Sequence, residues 1–181
     1  MLTKTHAASG LAIWATGITI SNLVGHDTNP IVAIIGSALC YYSAELPDID
    51  HPDSHPTRVI SRFAPEIPRA IQDMCGHRGM THWGINSISV GILIGSAATL
   101  IHPSLWWIGL AIGTGILVHI LGDCLTWSGV PLLAPFVDRP IRLPYGYRFE
   151  SGGKFENMIV YPFVLFWALF SVVISVSLTV I

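Results

Sequence analysis

Charged side chains are scarce in this chain of 181 residues. Lys, Arg, Asp and Glu make up 11% of it, against about 25% in ordinary soluble proteins. The net charge of −2 supplies no basic field that would attract a nucleic acid. Hydrophobic residues reach 51%, and the mean hydropathy is +0.60. These values exclude a disordered chain and a nucleic-acid binder, and they disfavour a water-soluble globule.

Cysteine is scarce as well. The three residues Cys40, Cys75 and Cys124 have no Cys-x-x-Cys spacing of the kind that holds zinc or carries redox chemistry. We interpret them as structural residues, so a metal site in this chain would rest on histidine and carboxylate ligands.

Long apolar segments, in contrast, are plentiful. A membrane-spanning helix needs about 20 mostly apolar residues. The predicted spans are 7–25, 31–46, 84–101, 104–122 and 159–181. The first is the weakest because it is rich in Gly, Ser and Thr, and the last is the strongest. The sequence therefore predicts one all-α membrane domain over residues 1–181, a bundle of about five transmembrane helices with cytoplasmic loops.

All nine Lys and Arg residues fall on one side of a five-span arrangement. Lys4 precedes the first span, four arginines follow the second, and the other four cations follow the fourth. The short connections near 26–30 and 102–103 carry no Lys or Arg. By the positive-inside rule, the N-terminus and both long connections are expected to be cytoplasmic.

The two long connections have different patterns. In 57–74, apolar residues recur near helical spacing with arginines between them, and Pro65 and Pro68 interrupt the pattern. This predicts a broken amphipathic helix on the membrane surface, with a solvated loop as the alternative. In 131–153, four prolines exclude a long helix.

Histidine and acidic residues are few but clustered. Four blocks stand out, which are Thr5–His6, ELPDIDHP at 45–52, HRGMTH at 77–82 and HILGDCLT at 119–126. Each block lies at the cytoplasmic end of a predicted span, so an antiparallel bundle brings all four to one level. His119 and Asp123 share one helix face, and ionisable groups inside an apolar helix are usually functional.

Such a cluster is typical of a metal site. Carboxylates held together repel each other unless protons or a cation neutralise them, and a divalent metal does so directly. The candidate ligands are His6, Asp48, Asp50, His51, His77, His82, His119 and Asp123. Asp and His ligands without thiolate suit Zn²⁺ first and Mn²⁺, Fe²⁺ or Mg²⁺ as alternatives, as one ion or two.

Several of these residues have a simpler interpretation. His6 alone can be an interfacial residue, and His51 can orient a carboxylate ligand instead of binding metal. Arg78 can grip a phosphate or carboxylate of a substrate, or simply hold its loop inside the cell. Glu156 can be a ligand or general base, or a solvated carboxylate at a helix start. The argument for a site is that four independent blocks fall at one depth.

The segments LPDIDHP, HRGMTH and HILGDCLTWSGVPLLAPF resemble the bacterial membrane-bound metal-dependent hydrolase family, which includes an SOS-regulated, LexA-controlled inner-membrane protein. A Thr-x-His-like start and a late GG-x-x-E are similar to it too. The resemblance implies a multi-span protein of the bacterial inner membrane and metal-dependent hydrolysis. The polar positions that match are His6, Asp48, Asp50, His51, His77, His82, His119, Asp123 and Glu156. Trp83 and Glu45 depart from the family pattern, so the resemblance does not carry over a substrate.

Three functions remain open from the sequence. The first is a hydrolase in which metal-activated water attacks an ester or phosphoester at headgroup depth on the cytoplasmic face. Its partners would be membrane lipids and a lipid-linked or other small-molecule substrate. The second is a transporter of metal ions or protons, although the outer halves of the spans hold mainly Ser, Thr and Gly as polar residues. The third is a membrane protein with a closed, structural metal site.

Overall fold

A computed structural model describes residues 1–76 and 78–180, with the side chain of residue 180 left aside. Over these residues the chain is helical and forms no strands, with two isolated β-bridges. The helices are α1 (Thr3–Leu23), α2 (Pro30–Ser43), α3 (His55–Ile60), α4 (Glu66–Cys75), α5 (Gly84–Ile101), α6 (Trp107–Asp123) and α7 (Tyr161–Val180). Short 3₁₀ turns include Leu46–Asp50, Met80–His82, Pro103–Trp106 and Tyr145–Tyr147, and a π turn at Glu156–Val160 leads into α7.

Four helical segments in the described chain are long and apolar enough to cross a membrane. They are Pro30–Asp50, Gly84–Ile101, Pro103–Asp123 and Glu156–Thr179. The predicted all-α membrane protein is therefore confirmed. Helix α1 is not among the four, although its 21 residues extend about 30 Å. Because α1 packs against α2, α6 and α7, nine of its residues are buried and it has little need for lipid-facing apolar side chains. That α1 crosses the membrane stays a prediction.

The five long helices alternate in direction. The start of α1 contacts the end of α6 through His6 and Asp123, and the end of α2 contacts α6 through Ala44 and His119. Leu2 also bonds Glu156, at the start of the π turn before α7. The starts of α1, α5 and α7 and the ends of α2 and α6 therefore lie together, as a five-span arrangement requires.

Glycine sets how closely α5 and α6 approach each other. A methyl group on Gly91 would lie 3.0 Å from the carbonyl oxygen of Gly109 and 3.3 Å from Cα of Gly113. These separations are tighter than ordinary contact, so only glycine lets the two backbones meet there. The close hairpin of α5 and α6 aligns the segment before α5 with the end of α6.

Helices α3 and α4 form a small hairpin that packs against the Leu46–Asp50 turn. Pro68 of α4 is buried, and Gln72 donates to the carbonyl oxygen of Ile49 at 3.4 Å. The apolar side chains of Phe63, Ile67 and Met74 are 86%, 50% and 78% exposed. The helix predicted within 57–74 is thus present and broken, and its apolar stripe points away from the rest of the described chain.

A candidate metal centre

Five side chains meet where α1 and α5 begin and where α2 and α6 end. His6, His82 and His119 are fully buried, Asp123 is 1% exposed, and the Asp48 side chain is 16% exposed. We call these five residues, which include the candidate ligands for a metal ion, the metal centre. They come from all four sequence blocks, so the convergence expected from an antiparallel bundle is present in the structure.

His82 and His119 direct ring nitrogens at each other. Nδ1 of His119 lies 2.7 Å from the carbonyl oxygen of Ala44, which can only accept a hydrogen bond. Nδ1 of His82 lies 2.9 Å from Oγ1 of Thr81, whose hydroxyl donates to Asp50 at 2.6 Å. Both rings therefore carry a proton on Nδ1, and their Nε2 atoms face each other at 3.3 Å. Two lone pairs at this distance repel unless a cation or a further proton lies between them.

Two carboxylates complete the arrangement. Oδ1 of Asp48 lies 3.6 Å from Nε2 of His119 and 4.0 Å from Nε2 of His82, and Oδ2 of Asp123 lies 3.8 Å from Nε2 of His82. In a tetrahedral zinc site with bonds near 2.0–2.2 Å, ligand atoms lie roughly 3.3–3.6 Å apart. Asp48, His82 and His119 thus bring one ligand atom each within 4.8 Å of one another, and Asp123 adjoins this group through His82.

A second group of candidate ligands overlaps the first. His6, His119 and Asp123 also bring one ligand atom each within 4.8 Å of one another. Both groups require His119, whose Nδ1 is engaged by Ala44, so its single Nε2 lone pair can bind only one ion. The geometry therefore fits one ion better than a pair that shares His119.

Asp50 lies behind His82 instead of beside it. Its Oδ2 accepts from the backbone N–H of Arg78 at 2.8 Å and from Thr81, and it lies 3.2 Å from Nδ1 of His82. A carboxylate in this position fixes the ring and its tautomer. The residue predicted as a ligand thus occupies the place of a group that orients one. Thr81 was missed in the sequence, where its only signal is its position next to His82.

Arg78 borders the metal centre with an unusual backbone. Its φ of 60° lies in the left-handed region, where a non-glycine residue is strained. The backbone bond to Asp50 holds it there, and its guanidinium Nη2 lies 3.3 Å from Oδ2 of Asp123. Its Nε is buried without a hydrogen-bond partner, while the side chain is 19% exposed. Arg78 therefore keeps a donor beside the carboxylates and within reach of solution.

His6 is held by stacking and by one carboxylate. Its ring lies against that of His119, and its Nε2 lies 3.1 Å from Oδ1 of Asp123, which the Met1 amino group also contacts. Nδ1 of His6 is buried and has no hydrogen-bond partner. A buried polar atom without a partner is costly and usually marks a functional or strained site.

Glu156 is fully buried, in contrast to the solvated carboxylate that was the alternative interpretation. Its Oε1 accepts from the backbone N–H of Leu2 and its Oε2 from that of Gly152, both at 2.7 Å. Both oxygens are thus engaged by backbone donors, and the carboxylate ties the start of α1 to the segment before α7.

Two predicted ligands remain, His51 and His77. His77 falls outside the described residues. Nδ1 of His51 accepts the backbone N–H of Asp53 at 3.2 Å, and His51 belongs to neither group of candidate ligands.

Cys40 and Cys124 are buried and Cys75 is partly exposed. Burial and the neighbouring Asp123 carboxylate raise the pKa of the Cys124 thiol, which is consistent with a structural residue.

Comparison with known proteins connects this arrangement to a family. The inner membrane protein YdjM of Escherichia coli (strain K12) is 36% identical over 123 residues, which cover 63% of this chain and 55% of that protein. The protein of the same name from Shigella flexneri matches to the same extent. The chain therefore spans about half the length of the curated relatives it matches, and no solved structure matches it. The model of the YdjM inner membrane protein family matches residues 1–180, and the chain belongs to this family of inner membrane proteins.

Proposed function

We propose that this protein is a metal-dependent hydrolase of the inner membrane that acts on an ester or phosphoester of a lipid-linked substrate. The observation that supports this most strongly is the pair of Nε2 atoms of His82 and His119, which face each other at 3.3 Å with two carboxylates beside them. Buried groups placed in this way repel one another unless a cation or a further proton lies between them.

The residues that would hold the ion are His82, His119, Asp48 and Asp123. Two imidazole nitrogens and two carboxylate oxygens without thiolate suit Zn²⁺, with Mn²⁺ and Fe²⁺ as alternatives. When bound, the ion would supply Lewis acidity and a water nucleophile of lowered pKa. His6 would then hold Asp123 in position instead of binding the same ion.

The protein's own side chains prepare this chemistry. Asp50, through Thr81, and the Ala44 carbonyl keep both histidine protons on Nδ1, so that Nε2 stays an acceptor. Arg78 presents a guanidinium at the edge of the carboxylates, where it would bind an oxygen of the phosphate or carboxyl group of a substrate. Because the centre lies at the ends of apolar helices, a substrate could keep its acyl tail in the bilayer.

Ion transport is less consistent with the chain. A transport path needs polar or ionisable groups that continue across the bundle. Residues 7–25, 30–44, 84–101, 103–118 and 161–180 contain no Asp, Glu, Lys, Arg or His. The polar cluster therefore stops at one end of the helices.

A purely structural metal site is also less consistent. Such a site is closed, with all of its coordination positions filled by protein. Here Asp48 and Arg78 both keep part of their side chains exposed, at 16% and 19%. A small molecule approaching from the end of the bundle would meet these two residues first.

The test is the metal content of the detergent-purified protein, followed by hydrolysis assays. We expect one equivalent per chain, lost in His82→Ala and Asp123→Ala and kept in His102→Ala and Asp138→Ala, which change exposed residues of the same types. The metal-loaded protein should hydrolyse a member of a panel of lipid esters and phosphoesters. A folded wild type that takes up no Zn²⁺, Mn²⁺, Fe²⁺ or Mg²⁺ would refute the proposal, and metal binding without hydrolysis of the panel would leave a structural site.

A further inference from the structure

A cavity of about 820 Å³ lies at the end of the bundle opposite the metal centre. It is partly open and is lined by α1, the start of α2, the connection between them, the Pro103–Trp106 turn and the start of α6. Its volume falls within the range of small-molecule sites, about 300–1,000 Å³. No residue of the metal centre lines it, so an inference about this cavity does not depend on the proposed hydrolase.

Indole rings form much of the cavity wall. Trp14, Trp106 and Trp107 line it, which is half of the six tryptophans in the chain. Trp14 is 7% exposed, and its Nε1 donates to the carbonyl oxygen of Val32 at 3.2 Å, which fixes the ring. Gly36 lies directly against this indole, and a methyl group there would collide with it. The cavity thus offers at least one rigid aromatic surface, and aromatic faces attract cations.

The charge at this cavity has one sign. Among the described residues that line it, Asp27 is the only Asp, Glu, Lys or Arg, and it is exposed, next to His26 in the chain. Two short connections, near 26–30 and 102–103, lie at this end. The Lys and Arg residues nearest in sequence to the first are Lys4 and Arg58, and those nearest to the second are Arg78 and Arg139. Within the part of the chain that the structure describes, no Lys or Arg lines this cavity to balance the carboxylate.

A cavity with an apolar interior, aromatic walls and one exposed carboxylate favours one class of ligand. An anionic amphiphile would bring its charge against Asp27, and a neutral one would gain no attraction from the carboxylate. A cation with an apolar body satisfies both the indoles and the carboxylate. We propose that this cavity binds a lipophilic organic cation, with its body between the indoles and its charge facing Asp27.

Two ions of the same shape and opposite charge test this proposal. Binding of tetraphenylphosphonium and of tetraphenylborate to the detergent-solubilised full chain is measured by equilibrium dialysis, with empty micelles subtracted. We expect saturable binding of the phosphonium alone. Asp27→Asn should weaken it at least about fivefold, since an ion pair in a partly apolar site is lost. Trp106→Leu should weaken it as well.

Matched controls lie at the other end of the molecule. Asp138→Asn removes an exposed carboxylate there and Trp127→Leu removes a partly exposed indole, and neither should change phosphonium binding. Equal saturable binding of both ions would show an apolar cavity filled by lipid chains and would overturn the proposal. Unchanged phosphonium affinity in Asp27→Asn, or no saturable binding in the wild type, would overturn it too. Metal content, measured in parallel, reports separately on the proposed hydrolase.

Discussion

The imidazole rings of His6 and His119 are stacked, with centroids 3.7 Å apart and planes 13° from parallel. One ring belongs to the first turns of α1 and the other to the last turns of α6. The stack fixes His6 so that its Nε2 holds Oδ1 of Asp123 at 3.1 Å. Asp123 can then turn its other oxygen towards His82, at 3.8 Å.

His6→Phe separates the stacking from the hydrogen bond. Phenylalanine keeps an aromatic ring against His119 but cannot hold Asp123. We expect metal affinity to fall roughly 10- to 100-fold, as it does when a group that orients a ligand is removed. Competition with a metal-binding indicator measures this. His102→Phe, at an exposed position, should leave the metal affinity unchanged. Equal metal affinity in the two variants would show that His6 does not contribute to metal binding.

Asp50→Asn tests the group behind His82. The amide keeps the shape of the side chain but weakens its hold on the Nδ1 proton and on the Arg78 backbone. We expect a loss of metal affinity of roughly 10- to 100-fold, smaller than the complete loss in His82→Ala. Asp53→Asn, three residues along the same segment and exposed, is the matched control. A loss as complete as that of His82→Ala would make Asp50 a ligand after all.

The Arg78→Gly substitution removes a guanidinium and also relieves the backbone strain at this position. Glycine adopts a φ of 60° without strain, so the fold and the metal content should be preserved. Turnover of a phosphoester substrate should fall by about tenfold or more, because a charge-assisted contact to the substrate is lost. Arg69→Gly, whose side chain is solvent-exposed, serves as the control for turnover. An unchanged rate in Arg78→Gly would show that the arginine only holds its loop.

Helix α4 should rest on the membrane through its exposed apolar stripe. A polarity-sensitive label placed by Met74→Cys in a Cys75→Ser background should be quenched by brominated lipid in vesicles with anionic headgroups. A label placed by Asp73→Cys, one residue away on a polar position, should respond more to aqueous iodide. The same response to iodide at both positions would place the stripe in solution or against another protein.

Labelling of intact cells tests the orientation of the chain. We expect a membrane-impermeant thiol reagent to reach His102→Cys from outside the inner membrane and Asp138→Cys only after the membrane is broken. Both positions are exposed, and the native Cys75 is replaced by serine in both variants. The opposite pattern would place the metal centre on the periplasmic side.

Hydropathy predicted most of the helices with little error. The span 84–101 coincides with α5, and 104–122 lies within Pro103–Asp123. The first helix begins at Thr3 instead of residue 7, and Thr5 and His6 of its polar first turn are buried in a helix that packs on α6 and α7. Hydropathy cannot register such burial, since the partners that cover these residues are distant in sequence.

The spacing of the acidic residues in the sequence does not show which of them faces the ligand nitrogens. Asp48 and Asp50 are two apart in a 3₁₀ turn, where residues two apart point to different sides. Asp48 therefore faces His119 and Asp50 faces the back of His82. Which of the two would meet the ion depends on how the turn sits on α6, and the motif PDID carries no information on that.

The bond from Leu2 to Glu156 has a consequence for the order of biosynthesis. A ribosome releases α1 long before the segment that begins at Glu156, so the start of α1 waits for its carboxylate partner until the last helix is made. His82, His119 and Asp123 also follow the first two helices in the chain. The nascent protein therefore holds the start of α1 without this anchor until its last helix is made, and only the complete chain joins the two ends of the described sequence through a buried carboxylate.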